Sequence, residues 1–322
     1  MRHRKSPVRL PRERRPRAYD RRVDAEVDQR TSTRGAASGD TQTLARARLL
    51  GVGRALVLSC HPGPVVAVTT LTLALAVTAG HGVGRCLLLT VAVLTGQLSV
   101  GWCNDAYDAR RDTVNARRDK PVAAGSVGQG TVWRAAFGAL ALCVPLSLAC
   151  GALAGTSHLI AVGAAWAYNL RLKATPLSWL PYAIGFASLP ALVSLSLPGS
   201  PWPAWWVVTA GALLGVGAHL ADVLPDIRAD LATGVRGLPH RLGATGSRLL
   251  LPVPLVAASA VLTLGPPGHP AAGALLLPPV AGAVAVAGLL LDRRHTKAPF
   301  VAAVAVAALD VGLLTAHGTG VT

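Results

Sequence analysis

Long apolar segments separated by short polar ones occupy most of the chain after about residue 60. A transmembrane helix needs about 20 mainly apolar residues, and spanning helices tolerate the Gly, Ala and Pro that are frequent here. Nine segments fit this description, at residues 62–80, 86–103, 132–150, 157–170, 180–197, 204–221, 249–264, 271–291 and 299–316. The pattern predicts an all-α, polytopic membrane protein with nine transmembrane helices around a central cavity.

The composition supports this class. Of the 322 residues, 52% are hydrophobic and only 14% are charged, and the mean hydropathy is +0.46, which is too apolar for a soluble domain of this length. The net charge of +16 suggests nucleic acid as a partner, but 15 of the 31 Lys and Arg residues lie in residues 1–54. The basicity therefore belongs to one end of the chain, and we predict no nucleic-acid partner.

That end, residues 1–43, is rich in Arg, Asp, Ser and Thr and has no apolar periodicity. Such a segment is predicted to be a disordered, basic cytoplasmic tail, held near anionic lipid headgroups at about 1 kcal/mol per basic residue. It lacks the early apolar core of a signal peptide. Residues 44–322 are predicted to form one membrane domain, which begins with an interfacial segment over 44–60.

The five cysteines lie in or beside apolar segments and form no CxxC pair. Their odd number and their positions argue against a disulfide framework or a zinc site. We expect them to be packing residues.

The loops between the apolar segments alternate in charge. One set contains nearly all the basic loop residues, and the intervening set contains only Arg85. By the positive-inside rule the basic set is cytoplasmic, so the N-terminus is predicted inside and the C-terminus outside. The basic set consists of Arg110, Arg111, Arg117, Arg118, Lys120, Arg171, Lys173, Arg228, Arg236, Arg241, Arg248, Arg293, Arg294 and Lys297.

Acidic residues are scarce after residue 50 and fall mainly into two clusters. The clusters are Asp105, Asp108, Asp112 and Asp119, and then Asp222, Asp226 and Asp230. Asn104, Asp108 and Asp112 recur at every fourth position, as do the three residues of the second cluster, so each set would line one face of a helix. Like charges at this spacing destabilise a helix. Because the ligands are all oxygen, we expect a hard cation such as Mg²⁺ to neutralise them.

Both clusters follow apolar segments that run from outside to inside, so both open on the cytoplasmic side. Carboxylates beside basic loops and above an apolar chamber suit an allylic diphosphate, whose lipid tail belongs in the membrane and whose diphosphate belongs at its surface. Mg²⁺ and nearby Arg and Lys residues would stabilise the diphosphate as the leaving group.

These motifs resemble those of the UbiA superfamily of intramembrane prenyltransferases, over a region from about residue 45 to the C-terminus. The first cluster is similar to the family motif NDxxDxxxD, and Lys120-Pro121-Val122-Ala123-Ala124-Gly125 is similar to the R-P-x-x-x-G that follows it. The second cluster is similar to the second aspartate motif of the family. Three positions depart from the family pattern: Lys120 stands where Arg is usual, Pro225 where Arg is common, and Val235 in place of a basic residue. Pro225 is also expected to disturb the helix of the second motif.

The resemblance implies a Mg²⁺-dependent transfer of an isoprenoid group from an allylic diphosphate to an aromatic or other lipophilic acceptor. It implies catalytic roles for Asp108, Asp112, Asp226 and Asp230, which with Asn104 would also be the metal ligands. It implies substrate-binding roles for Asn104, Asp105, Arg118, Lys120, Tyr168, Arg171, Lys173, Asp222 and Arg236. Membrane lipid is the remaining expected partner.

Other functions are compatible with the same pattern. A membrane terpene cyclase would keep the diphosphate ionisation and use the substrate's own double bond as the nucleophile. Phosphoribosyl transfer to a lipid phosphate would need a roomier polar site, and a cation transporter would need carboxylates on both sides of the membrane. His219 and Asp310 lie within apolar segments, and for both we favour a packing or structural role over a catalytic one.

Overall fold

The computed structural model describes residues 49–292, 295 and 297–316. The predicted tail at residues 1–43 lies outside the described residues, as do Arg293 and Arg294. Residues 54–322 form one compact unit, and of the other unit, residues 1–53, only 49–53 are described. The described residues form α-helices and short 3₁₀ turns and contain no strand.

Twelve α-helices follow one another along the described chain. They are α1 (Leu49–Ser59), α2 (Pro62–Thr78), α3 (Val83–Val114), α4 (Gln129–Ala149), α5 (Ala152–Leu170), α6 (Leu180–Leu195), α7 (Trp205–Val223), α8 (Ile227–Ala232), α9 (Leu238–Leu250), α10 (Pro252–Leu264), α11 (Leu277–Leu291) and α12 (Ala298–Ala316). Several begin with Pro in their first turn, where its fixed φ suits a helix and its missing N–H costs no bond.

A helix is present at each of the nine segments that the sequence predicted to be apolar spans. By length and composition, five helices among the described residues are able to cross a membrane, or up to seven if each of two bent helix pairs is one span. The helices α9 and α10 form one such pair and are bent by 50°. The chain is thus a helical protein with several membrane-spanning segments, and the count of nine stays a prediction.

Close approach between neighbouring helices depends on small residues. An added Cβ at Gly215 of α7 would lie 2.3 Å from the Tyr182 carbonyl oxygen of α6, and one at Gly101 of α3 would lie 2.1 Å from the Cys60 carbonyl oxygen. Small residues of this kind let membrane helices pack backbone to backbone. The five cysteines are free and buried, as expected for packing residues.

The two acidic motifs occupy different local structures. The helix α3 continues eleven residues past its predicted end and includes the whole of Asn104–Asp112. In contrast, α7 ends at Val223, a 3₁₀ turn follows at Leu224–Asp226, and α8 begins at Ile227. The second motif therefore does not lie on one unbroken α-helix, because Pro225 lacks the N–H that would continue the hydrogen bonding of α7. The disturbance expected at Pro225 is present.

Candidate functional site

Asp108 is the centre of the first motif. Its side chain is 6% exposed and accepts hydrogen bonds from Arg111, one turn further along α3, at 2.7 Å and from Lys173 in the 3₁₀ turn after α5. Burial lowers the pKa of Lys173, and Asp108 opposes that shift. The buried ammonium and carboxylate thus compensate each other in a place where neither would be stable alone.

Asn104 is held by hydrogen bonds to side chains on α3 and α5. Its amide nitrogen donates to Asn169 Oδ1 at 3.2 Å and lies 3.4 Å from Asp108 Oδ2. Asn169 on α5 in turn donates to the Val100 carbonyl oxygen at 2.9 Å. These bonds fix α5 against α3 at the level of the first aspartates.

The second motif presents its carboxylates from three separate elements. Asp222 at the end of α7 is exposed and accepts a hydrogen bond from the Tyr182 hydroxyl at 2.7 Å. Asp230 in α8 lies 3.1 Å from His240 Nε2, while the Gly237 N–H donates to His240 Nδ1 at 3.1 Å. Because Nδ1 accepts, the neutral ring has its proton on Nε2 and donates it to Asp230.

Two arginines join the two motifs. Arg111 lies between Asp108 and Asp230, and its Nη2 is 3.8 Å from Asp230 Oδ1. Arg117 donates to Asp226 at 3.0 Å and makes two further bonds of 3.0 Å to Asp119. Hydrogen bonding by Arg117 holds the pKa of Asp119 below its usual range. The two acidic motifs are therefore neighbours in space, although they are more than a hundred residues apart in sequence.

The remaining predicted site residues lie at different distances from this centre. Asp112 is buried one turn beyond Asp108 in α3, and Asp105 is 1% exposed on the same helix. Lys120 contacts His61 at 2.8 Å and lies 3.7 Å from Asp105. The other predicted cations are exposed and form no ion pair with a described carboxylate: Arg118, Arg171 and Arg236.

Three rings meet beside Asp222. The ring centroids of Tyr168, Tyr182 and His219 are 4.8 to 5.7 Å apart. His219 is buried, and its Nε2 is 2.9 Å from the Ser178 hydroxyl. Tyr168, which the sequence assigned to substrate binding, thus lines the same region as the second motif.

The hydrogen-bond partner of Asp310 is not a residue of either acidic motif. It is 1% exposed in α12, and Ser259 donates to its Oδ1 at 2.7 Å. A structural role was expected for Asp310 from the sequence.

The sequence did not single out five residues that the structure places among the site side chains. They are Arg111, Arg117, Asn169, Tyr182 and His240. Arg111 follows Asp108 by three positions, a spacing at which helical side chains meet. The other four join the site through contacts between separate elements, which sequence spacing does not reveal.

The donor set suits a hard divalent cation. No group of three or more Asp, Glu, His or Cys residues in the described part of the chain is close enough to hold a metal. Mg²⁺, however, typically uses one or two carboxylates and completes its shell with phosphate oxygens and water. Lys173, Arg111 and Arg117 neutralise carboxylates of the two motifs. In addition, both carboxylate oxygens of buried Asp105 lack a hydrogen-bond partner. This acidic arrangement fits Mg²⁺ with a phosphate-bearing ligand.

Fold and site together define a polytopic helical membrane protein with two acidic motifs gathered at one place. A sequence profile of the UbiA prenyltransferase family matches residues 65–309, and the chain belongs to this family. The resemblance that the motifs suggested is thereby confirmed.

Solved structures of this family share the fold. A UbiA homologue from Archaeoglobus fulgidus, solved with GPP and Mg²⁺, superposes with a TM-score of 0.61 at 16% identity, over 83% of this chain and 99% of that one. The apo structure of a UbiA homologue from Aeropyrum pernix K1 has a TM-score of 0.61 at 19% identity, over 79% and 98% of the two chains.

A curated relative is the digeranylgeranylglyceryl phosphate synthase of Methanopyrus kandleri. It is 29% identical over 167 residues, which are 50% of this chain and 58% of that protein. The matched region is thus less than two thirds of the length of this relative.

Proposed function

We propose that the chain is a Mg²⁺-dependent intramembrane prenyltransferase, which moves an isoprenoid group from an allylic diphosphate to an aromatic or other lipophilic acceptor. The observation that supports it most directly is the convergence of the two aspartate motifs through Arg111 and Arg117. Family membership and the GPP, DMAPP and Mg²⁺ in the solved neighbours support the same reaction.

In this proposal Asn104, Asp108, Asp112, Asp226 and Asp230 hold Mg²⁺, directly or through water. When bound, the metal supplies positive charge to the diphosphate leaving group. Arg111, Arg117 and Lys173 already lie between the carboxylates, so phosphate oxygens that enter the site find charged hydrogen-bond donors. As the allylic C–O bond breaks, these donors stabilise the charge that develops on the leaving oxygen.

Tyr168 and Tyr182 form the wall of the site beside Asp222. Their rings present π faces that favour a nearby cation, and the Tyr182 hydroxyl is committed to Asp222. The allylic cation would form next to these rings and react with the acceptor. The apolar helices below exclude water, which would otherwise quench the cation.

The test is release of inorganic pyrophosphate by the purified chain in lipid nanodiscs supplied with GPP or DMAPP and Mg²⁺. Pyrophosphate should appear together with a prenylated product when a lipophilic host extract is added, and EDTA should stop both. Fluorination of the allylic substrate should slow the reaction steeply, because fluorine destabilises the cation.

Two outcomes would contradict the proposal. Full pyrophosphate release without acceptor, together with a terpene hydrocarbon or alcohol, would identify a cyclase. Flux of Mg²⁺ or Na⁺ in proteoliposomes without any diphosphate would identify a transporter.

We further propose that the chain has nine spans, with the acidic motifs and the basic tail cytoplasmic and the C-terminus external. Single cysteines at Thr113 or Gly234 in a cysteine-free chain should resist an impermeant thiol reagent in intact cells, and one at Gly199 should react. Ready labelling at Thr113 would reverse the orientation.

A further inference from the structure

His61 lies at the break between α1 and α2 and contacts the loop that follows the first motif. Its Nε2 is 2.8 Å from Lys120 Nζ. Because an ammonium only donates hydrogen bonds, Nε2 is the acceptor, and the ring is neutral with its proton on Nδ1.

The backbone next to His61 packs closely on α3. His61 has φ 59° and ψ 69°, a left-handed conformation that is uncommon outside glycine. The preceding Cys60 carbonyl packs directly on Gly101, one turn before Asn104 and Asp105. His61 therefore connects the start of the first motif to the cation that follows it.

Asp105 competes with His61 for the same cation. Its side chain is 1% exposed, and neither of its oxygens has a hydrogen-bond partner. A buried carboxylate without hydrogen bonds attracts a nearby cation strongly. Lys120 Nζ forms an ion pair with Asp105 at 3.7 Å, but its short hydrogen bond, at 2.8 Å, is to His61.

We infer that His61 is a positioning residue, which holds the Lys120 ammonium beyond hydrogen-bonding distance of Asp105 so that it can donate to a diphosphate oxygen. The inference rests on the proposed function and on the substrate-binding role that the family resemblance implies for Lys120. Without an acceptor at position 61, Lys120 closes from the 3.7 Å ion pair to a direct hydrogen bond with Asp105 and is lost to the diphosphate.

The test measures the Kd of a non-reactive thio-analogue of geranyl diphosphate, with Mg²⁺, for the purified full chain. His61→Ala should weaken binding about tenfold, because a charge-assisted contact to phosphate is lost. His61→Gln should stay within about threefold of the native Kd, since its amide oxygen accepts from Lys120. The control is His269→Ala, an exposed histidine in the loop between α10 and α11, which should bind as the native chain does.

A second comparison separates positioning from general damage. In an Asp105→Asn background the competing charge is absent, so His61→Ala should add less than about a twofold loss to that variant's Kd. If His61→Ala does not fold, His61→Leu fills the space without an acceptor and takes its place.

Distinct results would overturn different claims. If the native chain binds but His61→Ala binds equally well, or His61→Gln is as weak as His61→Ala, the role of His61 is wrong and the proposed function stands. If the native chain itself does not bind the analogue, the proposed function fails and the inference fails with it.

Discussion

The two aspartate motifs have the same spacing in sequence and opposite structural characters. The first lies on the continuous helix α3, and the side chain of Asp108 is 6% exposed and held by two cations. The second is divided among α7, a 3₁₀ turn and α8, and the side chain of Asp226 is 44% exposed. One motif is thus part of the packed helical core, whereas the other lies on a segment that solvent reaches.

Because of this difference in burial, we expect the first motif to affect both folding and catalysis and the second motif to affect mainly catalysis. A buried carboxylate that neutralises buried Lys173 contributes to folding as well as to ligand binding, because its removal leaves an uncompensated charge. An exposed carboxylate bonded to Arg117 contributes little to folding. The two motifs should therefore respond differently to the same substitution.

The largest effect is expected from Asp108→Asn. Pyrophosphate release should fall about a thousandfold, because the charge that faces the metal and diphosphate is lost, and the free energy of unfolding should fall by about 3 kcal/mol. Both are measurable on nanodisc samples. The matched control is Asp292→Asn, a buried carboxylate that bonds Arg248 at 2.5 Å; it should lose stability and keep its activity per folded molecule. Near-native turnover in Asp108→Asn would remove the first motif from catalysis.

Asp226→Asn should reduce pyrophosphate release about a hundredfold and leave the free energy of unfolding within about 1 kcal/mol of native. The control is Asp119→Asn. Asp119 is the other carboxylate bonded to Arg117, and its side chain is 64% exposed, so this substitution should change turnover little. If Asp226→Asn destabilised the chain as much as Asp108→Asn does, the contrast between the motifs would be wrong.

Pro225→Ala tests whether the interruption itself matters. Alanine would let α7 continue through position 225, which would turn Asp226 away from Arg117 and lower pyrophosphate release about tenfold. Pro190→Ala, at another proline inside a helix but on α6, is the comparison. Equal effects at both positions would mean that the break in the second motif has no specific role.

Much of the fold followed from the sequence because lipid imposes a simple rule. Backbone groups in a bilayer must bond within their own helix, so apolar segments of sufficient length became helices at all nine predicted places. The end of α3 was placed too early, since polarity marks where lipid contact ends and not where helical hydrogen bonding ends. Asn104–Asp112 is polar and still helical.

The site was predictable where its residues share a helix and was not where they meet across elements. Asp108 and Asp112 were placed correctly on one face by spacing alone. The contact of Arg117 with Asp226 joins residues 109 positions apart, and the contact of His240 with Asp230 depends on how the chain folds back after α8. Sequence spacing also could not show which of the adjacent residues Arg117 and Arg118 contacts the second motif.

Substitution of Arg117 or Arg118 should have the smallest effect of those predicted, and comparing the two tests which arginine joins the motifs. Arg117 and Arg118 both line a cavity of about 340 Å³. Arg117 also bonds Asp226 and Asp119, whereas Arg118 is exposed. Arg117→Ala should weaken binding of the thio-analogue about fivefold, because a charged donor between the motifs is lost. In Arg118→Ala the Kd should stay within about twofold of the native value, as expected for an exposed cation that forms no ion pair with a described carboxylate.

The two arginines are adjacent and have the same charge, so each substitution removes one positive charge from nearly the same place. Each variant therefore controls for the long-range electrostatic effect of the other. A larger loss in Arg118→Ala would mean that Arg118, and not Arg117, is the main contact of the diphosphate, as the family resemblance implied.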